Sequence, residues 1–186
     1  MLTSSYAISF SISVGKIKVD KKNIITPDLV RGSFKTLREA ILKKGWPKLS
    51  DSLGKVMFGL DNGGAIRDMY VKGNTSLQGR ILFASVGAKD PGAAFFKLNN
   101  PIGSHNQIRS LVKNGFMVRT RADSDTREAR KNDTTRRDKA LSSGAQFIST
   151  DYPEPNKKFS DYSVQFTEKK IYPVSYTHLT LPTKVT

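Results

Sequence analysis

Hydrophobic positions along the chain follow two rhythms. Between Met1 and Asp20 they alternate with polar ones: Tyr6, Ile8, Phe10, Ile12 and Val14 are apolar, with mostly serine between them. A period of two predicts a half-buried strand, with Gly15 as a turn into Lys16 to Val19. A secretory leader would need a basic start, a continuous apolar centre and a small-residue cleavage site, and this stretch shows none of them. It reads as a strand, or as non-native sequence ahead of the fold. From Thr26 the rhythm changes. Thr26-Pro27-Asp28 predicts a helix start, with proline at the first helical position and Gly32 as the stop. A second helix is expected from about Phe34 to Lys44, with Leu37, Ala40 and Ile41 on one face and Gly45 ending it; Trp46-Pro47 then begins a loop. Four short apolar runs follow that suit buried strands: Lys55 to Leu60, Arg80 to Ser85, Gly115 to Thr120 and Ala145 to Ser149. Between the later runs lie two capping-box patterns. Ser104 with Gln107 precedes Ile108, Leu111 and Val112; Asp125 with Glu128 precedes a charged stretch that reaches Ser143 and stops at Gly144. Strands joined by helical crossovers imply parallel βα units, so the fold class is α/β.

Polar residues gather just after these strands: Asp61 and Asn62, Ser85, Arg119 to Asp123, then Ser149, Thr150 and Asp151. In α/β folds ligands bind at the carboxyl ends of the strands. The same residues also suit caps and loop starts.

Composition narrows the partner. Of 186 residues, 31 are Lys or Arg against 16 Asp or Glu, a formal charge of +15. Such an excess attracts nucleic acid, an acidic membrane surface or a phosphorylated substrate. Hydrophobic residues at 37% suffice for a core, and no run approaches the ~20 apolar residues of a membrane-spanning helix. With no cysteine there is no disulfide frame, thiol nucleophile or zinc–thiolate site. The tail from Val174 to Thr186, VSYTHLTLPTKVT, resembles translated read-through of a sequencing-library adapter. It is expected to be an artefact, which removes His178 as a candidate and makes the chain a truncated piece.

The block GFMVRTRADSDTREARKNDTTRRDKALSSGAQFISTDYP, from Gly115 to Pro153, resembles the carboxy-terminal part of the calcium-dependent phosphoinositide-specific phospholipase C family of bacterial type. ITPDLVRG, TLREAILKKGWPKL, GKVMFGLDN and AAFFKLNNP extend the resemblance over roughly Asn23 to Phe166. More distantly, FISTDYP looks like the end of a glycerophosphodiester phosphodiesterase barrel. The resemblance implies the carboxy-terminal half of a TIM (β/α)8 barrel, with an unmatched segment at 1–22, the barrel part at 23–173 and the artefact at 174–186. It also implies cleavage of phosphatidylinositol by the inositol's own 2-hydroxyl, giving a cyclic phosphate and diacylglycerol. In that family the base and acid histidines and most Ca2+ ligands come from the first half of the barrel, so the fragment is expected to be inactive alone. Half a barrel would also expose two strand edges and favour aggregation. A secreted or extracytoplasmic protein is implied.

Phosphodiester cleavage needs a base, an acid and positive charge against the reacting phosphate. Candidates exist for the third. Arg119 and Arg121, two apart in an extended segment, share a face and suit a bidentate clamp on phosphate or inositol hydroxyls, or they pair with Asp123, Asp151 or Asp61. Lys97 is a candidate phosphate contact on a loop. Asp151 suits a hydrogen bond from the sugar ring, and Tyr152 offers a stacking face or packs in the core. Asp61 is a candidate for metal binding or for a structural cap. His105, after Ser104, falls in the first turn of a helix. The run from Arg127 to Lys139 suits either a solvated helix face or attraction to an anionic membrane, at about 1 kcal/mol per basic residue. A basic anion- or RNA-binding fragment without catalysis is the alternative of another class. Nucleic acid is not expected, since the chain shows no aromatic platform, recognition helix or zinc motif.

Overall fold

A computed structural model describes residues 19–165. The alternating segment before residue 19 and the adapter-like tail lie outside the described residues. The chain divides into two compact units, Met1–Ala94 and Phe95–Thr186, each with a three-stranded sheet in which every pairing is parallel.

In the first unit the order of elements is β1 (Ile24–Ile25), α1 (Pro27–Arg31), α2 (Leu37–Lys43), α3 (Leu49–Ser52), β2 (Val56–Leu60), α4 (Gly64–Val71) and β3 (Leu82–Ala84). The sheet order is β1-β2-β3. Thr26 caps α1 by accepting from the Leu29 amide at 3.2 Å, and Gly32, at φ 55°, supplies the left-handed turn that ends it. The second helix starts later than Phe34, because Thr36 takes the cap and accepts from the Glu39 amide at 3.0 Å. Leu37, Ala40 and Ile41 are buried, as the spacing requires. The buried Ser76 hydroxyl accepts from the Leu37 amide at 2.7 Å, tying α2 to the loop before β3. On the crossover from β2 to β3, the Tyr70 hydroxyl accepts from the Leu82 amide at 2.9 Å and donates to the Leu82 carbonyl at 3.1 Å. Burial pushes that phenol's pKa up, and the Arg80 guanidinium lies 5.1 Å from its ring centre.

The second unit runs β4 (Phe95–Lys97), α5 (His105–Lys113), β5 (Met117–Arg121), α6 (Arg127–Lys131), α7 (Thr135–Ser142) and β6 (Phe147–Ser149), with sheet order β4-β5-β6. Val118 and Thr120 are wholly buried, whereas Met117, Arg119 and Arg121 on the other face are half-buried. Since α5 and α7 pack on β5, they cover the Val118 face. Neither expected capping box forms. Ser104 sits in a turn at ψ 13°, away from the extended geometry a cap requires, and makes no cap bond. Asp125 adopts φ 55°, and Glu128 accepts instead from the Ser124 amide at 2.9 Å. The charged stretch is two helices, broken where Asn132 takes φ 51° and Asp133 accepts from the Thr135 amide at 2.9 Å. Among the described residues no helix is long and apolar enough to cross a membrane.

Candidate functional site

The register of the second sheet brings basic side chains to one face. Lys97 is level with Arg119, Arg119 with Phe147, and Arg121 with Ser149. Level residues of paired strands point the same way, as do residues two apart on one strand. Lys97, Arg119 and Arg121 therefore share the face opposite the helices, at its carboxyl end. All three are half-buried.

Arg119 is held in place from outside the sheet. Its Nη1 donates to Asn99 Oδ1 at 2.7 Å, just past the end of β4. The Asn99 carbonyl in turn accepts from Arg136 Nη1 at 3.1 Å, and Arg136 Nε donates to Glu128 Oε1 at 2.8 Å. Burial by itself would raise the Glu128 pKa, but amide hydrogen bonds at Ser124 and at its own backbone, with Arg136 beside it, hold the carboxyl below its usual range. A part-buried ion pair on α6 and α7 thus reaches the guanidinium of Arg119 through one residue, Asn99, whose backbone carbonyl meets Arg136 and whose side-chain oxygen meets Arg119.

Arg121 is looser. Its Nη2 lies 3.9 Å from Asp151 Oδ2, and the Asp151 side chain is 62% exposed. Beneath Asp151 is Asp123, whose carboxylate is buried. Tyr152 is buried as well: its ring meets Phe159 and Tyr162 edge-on, with centroids 6.4 Å and 5.7 Å away. The faces offered for stacking an inositol ring thus belong to a core cluster with Ala129, Phe159 and Tyr162. The Tyr162 hydroxyl donates to the Ala122 carbonyl at 3.0 Å, and burial, with the negative charges of Asp123 and Glu128, raises its pKa.

The other candidates fall on other segments. Asp61 stands exposed after β2, in the first unit. His105 opens α5, with Nε2 3.2 Å from the Ser142 hydroxyl. The basic run is less of a solvated face than its composition implies. Arg136 pairs with Glu128, Arg137 donates to the Ser163 carbonyl at 3.1 Å, and Arg130 lies 4.2 Å from the Phe159 ring centre. Arg127, Lys131 and Lys139 are left exposed. Calcium takes 6–8 oxygen ligands, and among the described residues no three His, Asp or Glu side chains gather to hold a metal. Asp123, the best-placed carboxylate, has both oxygens committed to hydrogen-bond donors. The described residues do not fit a calcium ion. Asn99, Glu128 and Arg136 were not foreseen as site residues; only the NNP run and the mixed charges of the 127–139 stretch hinted at them.

Parallel strands joined by helical crossovers define an α/β protein, with cations at the carboxyl ends of the second sheet. A family model described as phosphoinositide phospholipase C, Ca2+-dependent, matches residues 16–174, and the chain belongs to that family. The match is wider than the stretch that carried the resemblance and stops where the adapter-like run begins. No curated protein and no solved structure matches the chain.

Proposed function

We propose that the chain is the headgroup-binding, carboxy-terminal part of a (β/α) barrel phospholipase C that cleaves phosphatidylinositol to a cyclic inositol phosphate and diacylglycerol. The observation that carries this reading is the alignment of Lys97, Arg119 and Arg121 on one sheet face at the strand ends. A planar guanidinium matches two phosphate oxygens, and a pair of them spreads the negative charge that builds up as the inositol 2-hydroxyl attacks phosphorus. Arg119, fixed by Asn99, and Arg121, with more freedom, take the phosphate; Lys97 adds a point charge. Asp151, exposed beside Arg121, accepts from a ring hydroxyl. Tyr152 acts from the core, holding the segment that carries Asp151.

Proton transfer falls to groups beyond these. His105 is occupied by Ser142, and the resemblance assigns base and acid to histidines of the other barrel half. The chain alone binds lipid and does not turn it over. Calcium dependence comes with family membership, and the described residues supply no site for it. The exposed cations Arg127, Lys131 and Lys139 favour approach to an anionic, extracytoplasmic lipid surface.

The test is sedimentation of the 186-residue chain with phosphatidylinositol vesicles, against soluble glycerophosphoinositol and against RNA. The reading expects vesicle binding competed by inositol 1-phosphate. Preference for glycerophosphoinositol would replace it with the glycerophosphodiesterase reading, and salt-sensitive binding to RNA alone would replace it with the anion-binding one.

A further inference from the structure

Asp123 has been given no part in binding, yet it is the most enclosed acid among the described residues, 1% exposed. Its described partners are all neutral donors. Oδ1 accepts from the Asp151 amide at 2.9 Å, Oδ2 from the Thr150 hydroxyl at 2.5 Å, and the Tyr162 hydroxyl lies 3.5 Å from Oδ2. A carboxylate kept from water is costly unless its oxygens are saturated with donors. Here the two nearer donors come from one short segment, the exit of β6. Thr150 Oγ1 also accepts from the Tyr152 amide at 2.9 Å, and the Ser149 carbonyl accepts from the Ala122 amide at 2.9 Å. Residues 149–152 are thereby strapped to the exit of β5, and the strap leaves Asp151 pointing outward beside Arg121.

The geometry points to Asp123 as a positioning residue for headgroup recognition: its buried carboxylate fixes the 150–152 segment so that Asp151 orients the Arg121 guanidinium for a phosphorylated polyol. The arrangement suits this role better than it suits stability alone. A hydrophobic residue of similar size would fill the same space, but only a group accepting from an amide and a hydroxyl in succession sets the backbone angle at Asp151. Arg119 is supported by Asn99, which takes no part in the strap beside Arg121. Loss of Asp123 should therefore be felt at Arg121 and not at Arg119. The inference rests on the headgroup reading above.

The experiment is a double-mutant cycle on the full chain, with inositol 1-phosphate as the probe and hydrogen exchange of the Asp151 amide as a second readout. Asp123→Ala and Arg121→Ala should each weaken binding about tenfold, and the double variant should be no weaker than either. Asp123→Ala combined with Arg119→Ala should be additive. Asp123→Asn, which can still accept from the Asp151 amide, should recover part of the loss. The Asp151 amide should exchange slowly in the parent chain and fast in Asp123→Ala. If Asp123→Ala does not fold, Thr150→Val carries the same cycle. Additivity with Arg121, or unchanged affinity in Asp123→Ala, would overturn the positioning role and leave the headgroup reading standing. Absence of binding by the parent chain would overturn the headgroup reading and this role with it.

Discussion

The two units are built from the same kind of parts and end in different chemistry. In the first, strand ends are followed by Asp61, Asn62 and Ser85, and polar side chains are spent on closing the fold. Tyr70 clips α4 to Leu82, Ser76 holds the start of α2, and Asp28 accepts from the Gly79 amide at 2.8 Å. In the second, the strand ends carry Lys97, Arg119 and Arg121, and a chain of hydrogen bonds from Glu128 through Arg136 and Asn99 reaches Arg119. Surface character differs as well. Among the described residues, Ile102 is the one large apolar side chain left exposed in the second unit, whereas Leu53, Met69 and Leu29 are among those of the first. Similar parallel sheets thus use their polar groups differently: in the first they tie segments together, and in the second they also support a cation at a strand end.

The sharpest way to break this contrast is to remove Glu128. Glu128→Ala leaves the part-buried Arg136 without its carboxylate and should lower stability by about 2 kcal/mol, read by urea unfolding. The same pair predicts an acid limb. Because the folded-state pKa of Glu128 lies below the ordinary 4.5, its contribution is complete above that value and is lost as pH falls through the lowered one. Glu128→Gln should flatten that limb. In the first unit the largest polar effect should come from Tyr70→Phe, which leaves the amide and carbonyl of Leu82 without the hydroxyl and should cost about 1.5 kcal/mol. Thr36→Ala, removing a helix cap, should cost about 1 kcal/mol by the same measurement. At the bottom of the scale is Asp161→Ala. Its pair with Lys157 is exposed on both sides, and the unfolding midpoint should not move. A reversed order, with Tyr70 or Thr36 above Glu128, would erase the contrast between the units.

Much of the fold is legible because its signals are local. The runs around Val56, Phe83, Val118 and Ile148 became strands, and Thr26-Pro27-Asp28 became a capped helix. Elements that escaped have weak local signals. β1 is Ile24–Ile25 alone, too short to show a period, and β4 hides three residues among turns. α4 starts at Gly64 with no side-chain cap and no acid in its first turn. The capping boxes misled for a physical reason. A box needs an extended residue at the cap, and neither Ser104 nor Asp125 has that backbone. At the site, the two-residue spacing of Arg119 and Arg121 was enough to put them on one face. Their supports were not readable: Asn99 lies 20 residues from Arg119, and Asp123 lies 27 from Thr150. Such contacts depend on which strand ends the fold places side by side. Tyr152 shows the converse, since both a stacking face and a core position suited the sequence, and only its neighbours Phe159 and Tyr162 decide between them.

The central claim is that the cationic face of the second sheet recognises a phosphorylated inositol headgroup and does not merely collect negative charge. Its most direct test compares binding of the chain to phosphatidylinositol vesicles and to phosphatidylglycerol vesicles of equal surface charge, with and without Arg119→Ala and Arg121→Ala together. The account predicts tighter binding to phosphatidylinositol, with that preference abolished in the double variant while the weaker, salt-sensitive attraction to both surfaces persists. Equal binding to the two lipids, or a preference that survives loss of both arginines, would contradict it.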